Sequence, residues 1–106
     1  MSTSNYRVKL TPKAREDLDK IYSYITGELY ATEAANSLLE KIEADIMRLS
    51  NYPFACSQVD DEFLRSKGYR KLIIDNYIAF YIVNEEEKQV VVMRVLYGRR
   101  KYQDIL

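Results

Sequence analysis

A chain of 106 residues with sixteen basic and sixteen acidic side chains, one cysteine (Cys56) and no histidine is read as a single domain, 1–106, with room for one core. That inventory excludes an internal disulfide, a cysteine-rich zinc cage and every histidine-dependent triad or metal site. Zero net charge gives no general case for nucleic-acid binding, and Gly27, Gly68 and Gly98 are too dispersed for a phosphate-cradling loop. Any catalysis must rest on Arg, Lys, Tyr or carboxylates, and no metal and no cofactor are expected. The opening Met1–Asn5 has no apolar leader region and no window reaches the length of a membrane span, so a cytoplasmic location is expected.

Tyr6 to Leu10 alternates as a short strand. Thr11-Pro12 then marks a helix start, with Thr11 as N-cap and Pro12 at the first helical position. The apolar positions Ala14, Leu18, Ile21, Tyr22, Ile25 and Leu29 predict a helix to about Leu29, with Glu16, Asp17, Asp19 and Lys20 mostly on its solvent side. Thr32 is the expected cap of a second helix from about Glu33 to Ser50, with Ala35, Leu38, Leu39, Ile42, Ile46 and Leu49 as its stripe. The short link at Tyr30-Ala31 makes the two an antiparallel hairpin. Tyr52 to Lys67 reads as a loop carrying the acidic triplet Asp60-Asp61-Glu62.

Tyr69 to Ile74, Tyr77 to Val83 and Gln89 to Tyr97 form a three-stranded meander, turned first by Asp75-Asn76 and then by the charged Asn84–Lys88. In the last strand, alternation sends Val91, Met93, Val95 and Tyr97 one way, and Val90, Val92, Arg94 and Leu96 the other. Arg94 is the one charge on that apolar strand. The implied fold class is α+β: an N-terminal strand and an antiparallel helical hairpin packed on one face of a mostly antiparallel four-stranded sheet. The other face and the C-terminal edge are expected to be open to partners. Between Lys88 and Tyr102 there is no carboxylate, and Arg94, Arg99, Arg100 and Lys101 make that edge basic.

Three stretches carry a family resemblance. They are Thr11-Pro12-Lys13-Ala14-Arg15-Glu16-Asp17-Leu18, Gly68-Tyr69-Arg70-Lys71-Leu72 with Tyr77-Ile78-Ala79-Phe80-Tyr81, and Arg94-Val95-Leu96-Tyr97-Gly98-Arg99-Arg100. In combination, over nearly the whole chain, they resemble the RelE/ParE toxins of type II toxin–antitoxin modules, the ParE branch in particular. The resemblance implies growth arrest, a part in plasmid stabilization, and neutralisation by a cognate antitoxin of RelB or ParD type.

It also implies one of two targets. ParE-like toxins inhibit DNA gyrase and are not known as nucleases; RelE-like toxins cleave messenger RNA on the ribosome. By the second comparison the candidate catalytic residues are Lys71, Arg94, Arg100, Tyr81 and Tyr102. However, Ile78 stands where the nuclease branch places an arginine, Tyr69 where it places a lysine, and its C-terminal tyrosine falls near Leu106. An apolar Ile78 cannot help stabilise a phosphorane, so the gyrase reading leads, and enzyme activity is not its expectation. A third alternative is an inactive relative that only binds antitoxin. The expected partner-binding residues are Arg70, Arg94, Arg99, Arg100 and Lys101.

Overall fold

The computed structural model describes residues 5–106; the expectation about a leader falls chiefly on residues 1–4 and lies outside them. Strand β1 (Arg7–Leu10) leads into helix α1 (Pro12–Ser23). Thr11 caps α1 as its sequence requires, accepting the Ala14 N–H at 3.0 Å, with Pro12 at the first position. After Ser23 the winding loosens into a π-helical turn, Tyr24–Glu28. The Thr26 hydroxyl donates to the Tyr22 carbonyl at 2.9 Å, where the α-helical N–H would bind, and Gly27 lowers helical preference further. The added residue rotates the segment beyond it. Ile25 remains buried, but Leu29, expected on the apolar face, is 55% exposed.

Tyr30 adopts a left-handed φ of +52° and reverses the chain. Helix α2 (Thr32–Met47) starts directly behind it, with Ala31 as N-cap and no side-chain cap. Thr32 is therefore the first helical residue and not the cap: the reversal is tight enough that the Ala31 carbonyl already accepts the Ala35 N–H at 2.9 Å. Past α2, a single 3-10 turn (Arg48–Ser50) ties the helix end to the start of the chain. The Tyr6 N–H donates to the Ser50 carbonyl at 2.9 Å, and the Ser50 hydroxyl to the Tyr6 carbonyl at 2.7 Å.

The stretch expected as loop holds a short helix, α3 (Glu62–Ser66), capped by Asp61, whose carboxylate accepts the Leu64 N–H at 3.0 Å. One turn is too short to show periodicity, so only the cap could have announced it. Asp61→Ala should cost about 1 kcal/mol, read as a shift of the urea midpoint; an unchanged midpoint would mean that α3 does not contribute to the cooperative unit.

Strands β2 (Arg70–Ile74), β3 (Tyr77–Asn84) and β4 (Gln89–Tyr97) form the meander, and the sheet order is β1-β4-β3-β2. β1 runs parallel to β4; the other pairs are antiparallel. Asp75 supplies the positive φ of the β2–β3 turn at +53°. The expected alternation in β4 does not survive, because Phe80 opposes Arg94 while Tyr81 opposes Val92, leaving Met93 as a bulge. Val90, Val92 and Val95 consequently all enter the helix-side core, and Met93 and Leu96 go to the opposite face.

The main core lies between the sheet and the helical hairpin, with Ala14, Ile21, Ala35, Ile42 and Ile46 against Ala79, Tyr81, Val90 and Val92. A second core closes the other face. Val59, Leu64, Tyr69, Phe80 and Leu96 pack there, under Tyr102, Ile105 and Leu106. The face expected to be bare is thus covered by the chain's own α3 region and C-terminal residues. The apolar residues Tyr69, Phe80 and Leu96 would otherwise lie in water, and burying them is worth about 2 kcal/mol each.

Tyr81 is fully buried, and its hydroxyl donates to the Pro53 carbonyl at 3.0 Å. Burial pushes its phenol well above the ordinary tyrosine range. An unfolded tyrosine ionises near pH 10. With the folded value raised, the stabilisation is complete below about pH 10 and is lost as pH rises from there towards the folded value. Tyr81→Phe should lower stability at neutral pH by about 1–3 kcal/mol, because the Pro53 carbonyl loses its donor. The variant should also flatten the alkaline fall. Melting curves between pH 8 and 11 test both, and an alkaline fall identical to the parent's would count against Tyr81 as its source.

Candidate functional site

β1 ends at Leu10 opposite Val92, so beyond that point β4 has no strand along its outer edge. The start of α1 satisfies this edge instead. The Thr11 N–H donates to the Val92 carbonyl at 3.1 Å, and the Thr11 hydroxyl to the Met93 carbonyl at 2.8 Å. The Val95 N–H donates to the Asp17 carboxylate at 2.9 Å. Asp17 also receives Arg94 through two hydrogen bonds, from Nε at 2.8 Å and Nη2 at 2.9 Å. This bond, ahead of the opposing cost of burial, holds the Arg94 guanidinium above its ordinary range.

Asp17 is 6% exposed, not on the solvent side where it was expected. The signal was present in the spacing: Asp17 lies three residues after Ala14 and four before Ile21, inside the apolar stripe. A lone carboxylate on an apolar helix face and a lone arginine on an apolar strand belong together.

At the end of β4 the Gly98 N–H donates to the Asn76 carbonyl at 2.8 Å. A β-carbon at residue 98 would sit 3.2 Å from that oxygen, so glycine lets the strand end lie against the β2–β3 turn. The chain then bends, with the Arg100 N–H donating to the Tyr97 carbonyl at 3.0 Å. Arg99, Arg100 and Lys101 are exposed, and none forms an ion pair among the described residues. Arg100 returns to the helix side, where it borders a cleft of about 490 Å³ with Asp17, Lys20, Tyr24, Tyr77 and Tyr97. The Tyr77 and Tyr97 rings meet edge-on, centroids 5.8 Å apart. Lys20 and Tyr24 had no place among the sequence candidates, because neither motif nor spacing singles them out.

The other candidates lie elsewhere. Arg70 opposes Tyr81; its Nη1 donates to the Cys56 carbonyl at 2.6 Å, and its guanidinium lies 5.0 Å from the Phe54 ring centroid. Lys71 is half-buried opposite Phe80, and Tyr102 packs on the same Phe80 with centroids 4.8 Å apart. Lys71 and Tyr102 therefore gather around Phe80 on the second face; Arg94 also opposes Phe80 but its guanidinium is clasped by Asp17 at the edge, Arg100 faces the α1 cleft, and Tyr81 is inside the main core. The fold does not bring these five to one point.

The fold is that of chains in solved toxin–antitoxin structures. The chain is similar to one from the chromosomal ParDE toxin–antitoxin system of P. aeruginosa, with a TM-score of 0.72 and 23% identity over 90% of this chain and 98% of that one. It is similar to one in the RelBE2 toxin–antitoxin complex of Mycobacterium tuberculosis, with a TM-score of 0.58 and 22% identity over 88% and 91%. A third similar chain comes from the archaeal RelE–RelB complex of Pyrococcus horikoshii OT3, with a TM-score of 0.51 and 14% identity over 91% and 98%. No curated protein matches the chain significantly in sequence. At the level of the family the match is direct: residues 8–102 fit the ParE toxin of the type II toxin–antitoxin system, parDE. The chain belongs to the ParE toxin family. Among its described residues no helix is long and apolar enough to cross a membrane.

Proposed function

We propose that this toxin acts in the cytoplasm, arrests growth by inhibiting DNA gyrase, and is neutralised by a cognate antitoxin of ParD or RelB type. The dispersal of Lys71, Arg94, Arg100, Tyr81 and Tyr102 over separate environments carries the choice of target. Cleaving RNA through its 2′-hydroxyl needs a base, an acid and charge stabilisation at one phosphate. Two opposite faces, an internal ion pair and a buried phenol do not supply them together, and Ile78 adds no charge. Binding a protein target needs only an exposed surface, which Arg99, Arg100 and Lys101 offer. The partner-binding role expected for Arg70, Arg94, Arg99, Arg100 and Lys101 accordingly rests on the last three. Arg70 and Arg94 are engaged within the chain.

The test is a supercoiling assay with purified toxin and gyrase, run beside transcript cleavage in a translation extract. Loss of supercoiling with intact transcripts is expected. Transcript cleavage with normal supercoiling would establish the ribosome-dependent nuclease instead, a reading favoured by the meeting of Lys71, Arg94 and Tyr102 around Phe80. Neither effect, with no growth arrest on expression, would mark an inactive, antitoxin-binding relative.

A further inference from the structure

We propose that two copies of this chain associate through the free edge of β2, pairing their β2 strands antiparallel about Ile73 into one continuous sheet. Strand β2 ends the sheet order, and its outer side is occupied only in part. The Val59 N–H donates to the Tyr69 carbonyl at 3.1 Å, and the Lys71 N–H to the Ser57 carbonyl at 3.0 Å. Gln58 bridges Arg70 between them, and among the described residues no strand continues along this edge past Lys71. Backbone groups of an antiparallel strand face alternate sides. The Lys71 N–H faces outward, so the Ile73 N–H and carbonyl both face outward too.

That edge is complementary to itself. A residue with both groups outward can exchange two hydrogen bonds with its own copy across a two-fold axis. Centring the pair on Ile73 sets each Lys71 opposite the second copy's Asp75. The lengths also match. The free stretch runs from Lys71 to the turn at Asp75-Asn76, so each copy's turn arrives where the other's Ser57 begins to cover the edge.

The side chains agree with this register. Ile73 is 64% exposed, and the two-fold sets it against itself, where β-branched side chains on facing strands pack. Asp75 gives Lys41 one oxygen at 2.7 Å and stays half exposed, which leaves room for the Lys71 ammonium at the rim. The opposite edge of the sheet is guarded. β1 carries Arg7 and Lys9 at its exposed positions, charges that discourage edge pairing. β2 has no such guard at Ile73. Because both copies use the same edge, pairing consumes it and association closes at two. The inference is independent of whether gyrase or the ribosome is the target.

The experiment is sedimentation equilibrium of the purified toxin from about 10 µM to 1 mM, the range in which a small interface populates dimers. A reversible monomer–dimer equilibrium is expected. Ile73→Lys opposes two ammonium groups at the axis and should weaken association about tenfold, with melting unchanged because the position is exposed. A cross-link gives the second readout. In a Cys56→Ser background, Ile73→Cys treated with oxidised glutathione should yield a disulfide-linked dimer. Facing residues of a hydrogen-bonded pair lie about 5.5 Å apart at Cα, inside the disulfide range. Glu87→Cys in the same background, on the exposed β3–β4 turn, is the control. The proposal is overturned by a monomer throughout the range, by equal association of Ile73→Lys, by assemblies larger than two, or by cross-linking no faster at position 73 than at position 87.

Discussion

Asp17→Ala is expected to destabilise the protein by about 3 kcal/mol, the low end of the cost of breaking a buried ion pair. The carboxylate serves two groups at once. It neutralises Arg94 through two hydrogen bonds, and it accepts the Val95 N–H at a sheet edge that no strand covers. Its removal leaves a guanidinium over apolar surface and an orphaned backbone donor. The low end applies because the Arg94 side chain keeps 19% of its exposure, and water can reach it in part. A double variant, Asp17→Leu with Arg94→Met, separates the two losses. With no lone charge left, stability should recover by more than half, the remainder reflecting the unpaired Val95 N–H. Urea denaturation of the three proteins tests this, and a single variant within about 0.5 kcal/mol of the parent, the effect of an ordinary surface change, would show that the clasp does not hold α1 to β4.

Arg100→Ala should abolish or strongly weaken growth arrest while melting stays within about 0.5 kcal/mol of the parent. The side chain is exposed beyond the last strand, between Arg99 and Lys101, and borders the cleft on the α1 side. A solvated arginine tolerates truncation. An arginine that anchors an interface is worth about 2 kcal/mol, or roughly thirtyfold in affinity. Melting and growth arrest measured side by side distinguish three cases. Unchanged melting with lost toxicity supports the interface role. If both are unchanged, Arg100 is only a solvated charge; a large fall in melting temperature would assign it to holding the C-terminal turn.

Local sequence was enough to set most of the elements. The spacing of Ala14, Leu18, Ile21 and Ile25, the Thr11-Pro12 start and the β-branched runs around Asp75-Asn76 are local signals, and local backbone and side-chain preference writes them. The α+β class follows from their order, and the toxin resemblance from Thr11–Leu18, Gly68–Leu72 with Tyr77–Tyr81, and Arg94–Arg100 in combination. Two departures were local as well, but turned on competing contacts that no propensity ranks, and long-range packing decided the rest. Tyr30 took a left-handed turn and displaced Thr32 from its cap, and Thr26 drew on the Tyr22 carbonyl and turned Leu29 outward. The Met93 bulge redirected half of β4. The second face was closed by residues more than thirty positions away from α3, Tyr102 to Leu106, a distance at which no periodicity operates.

The same division runs through the site. Arg94 and Arg100 look alike on paper, each a basic residue on or after one strand. Only the packing of α1 against β4 gives one of them Asp17 and leaves the other facing an open cleft. A charge is written in the sequence, but its partner is set by which surfaces meet, and in a low-dielectric contact that partner decides whether the charge is structural or available to bind.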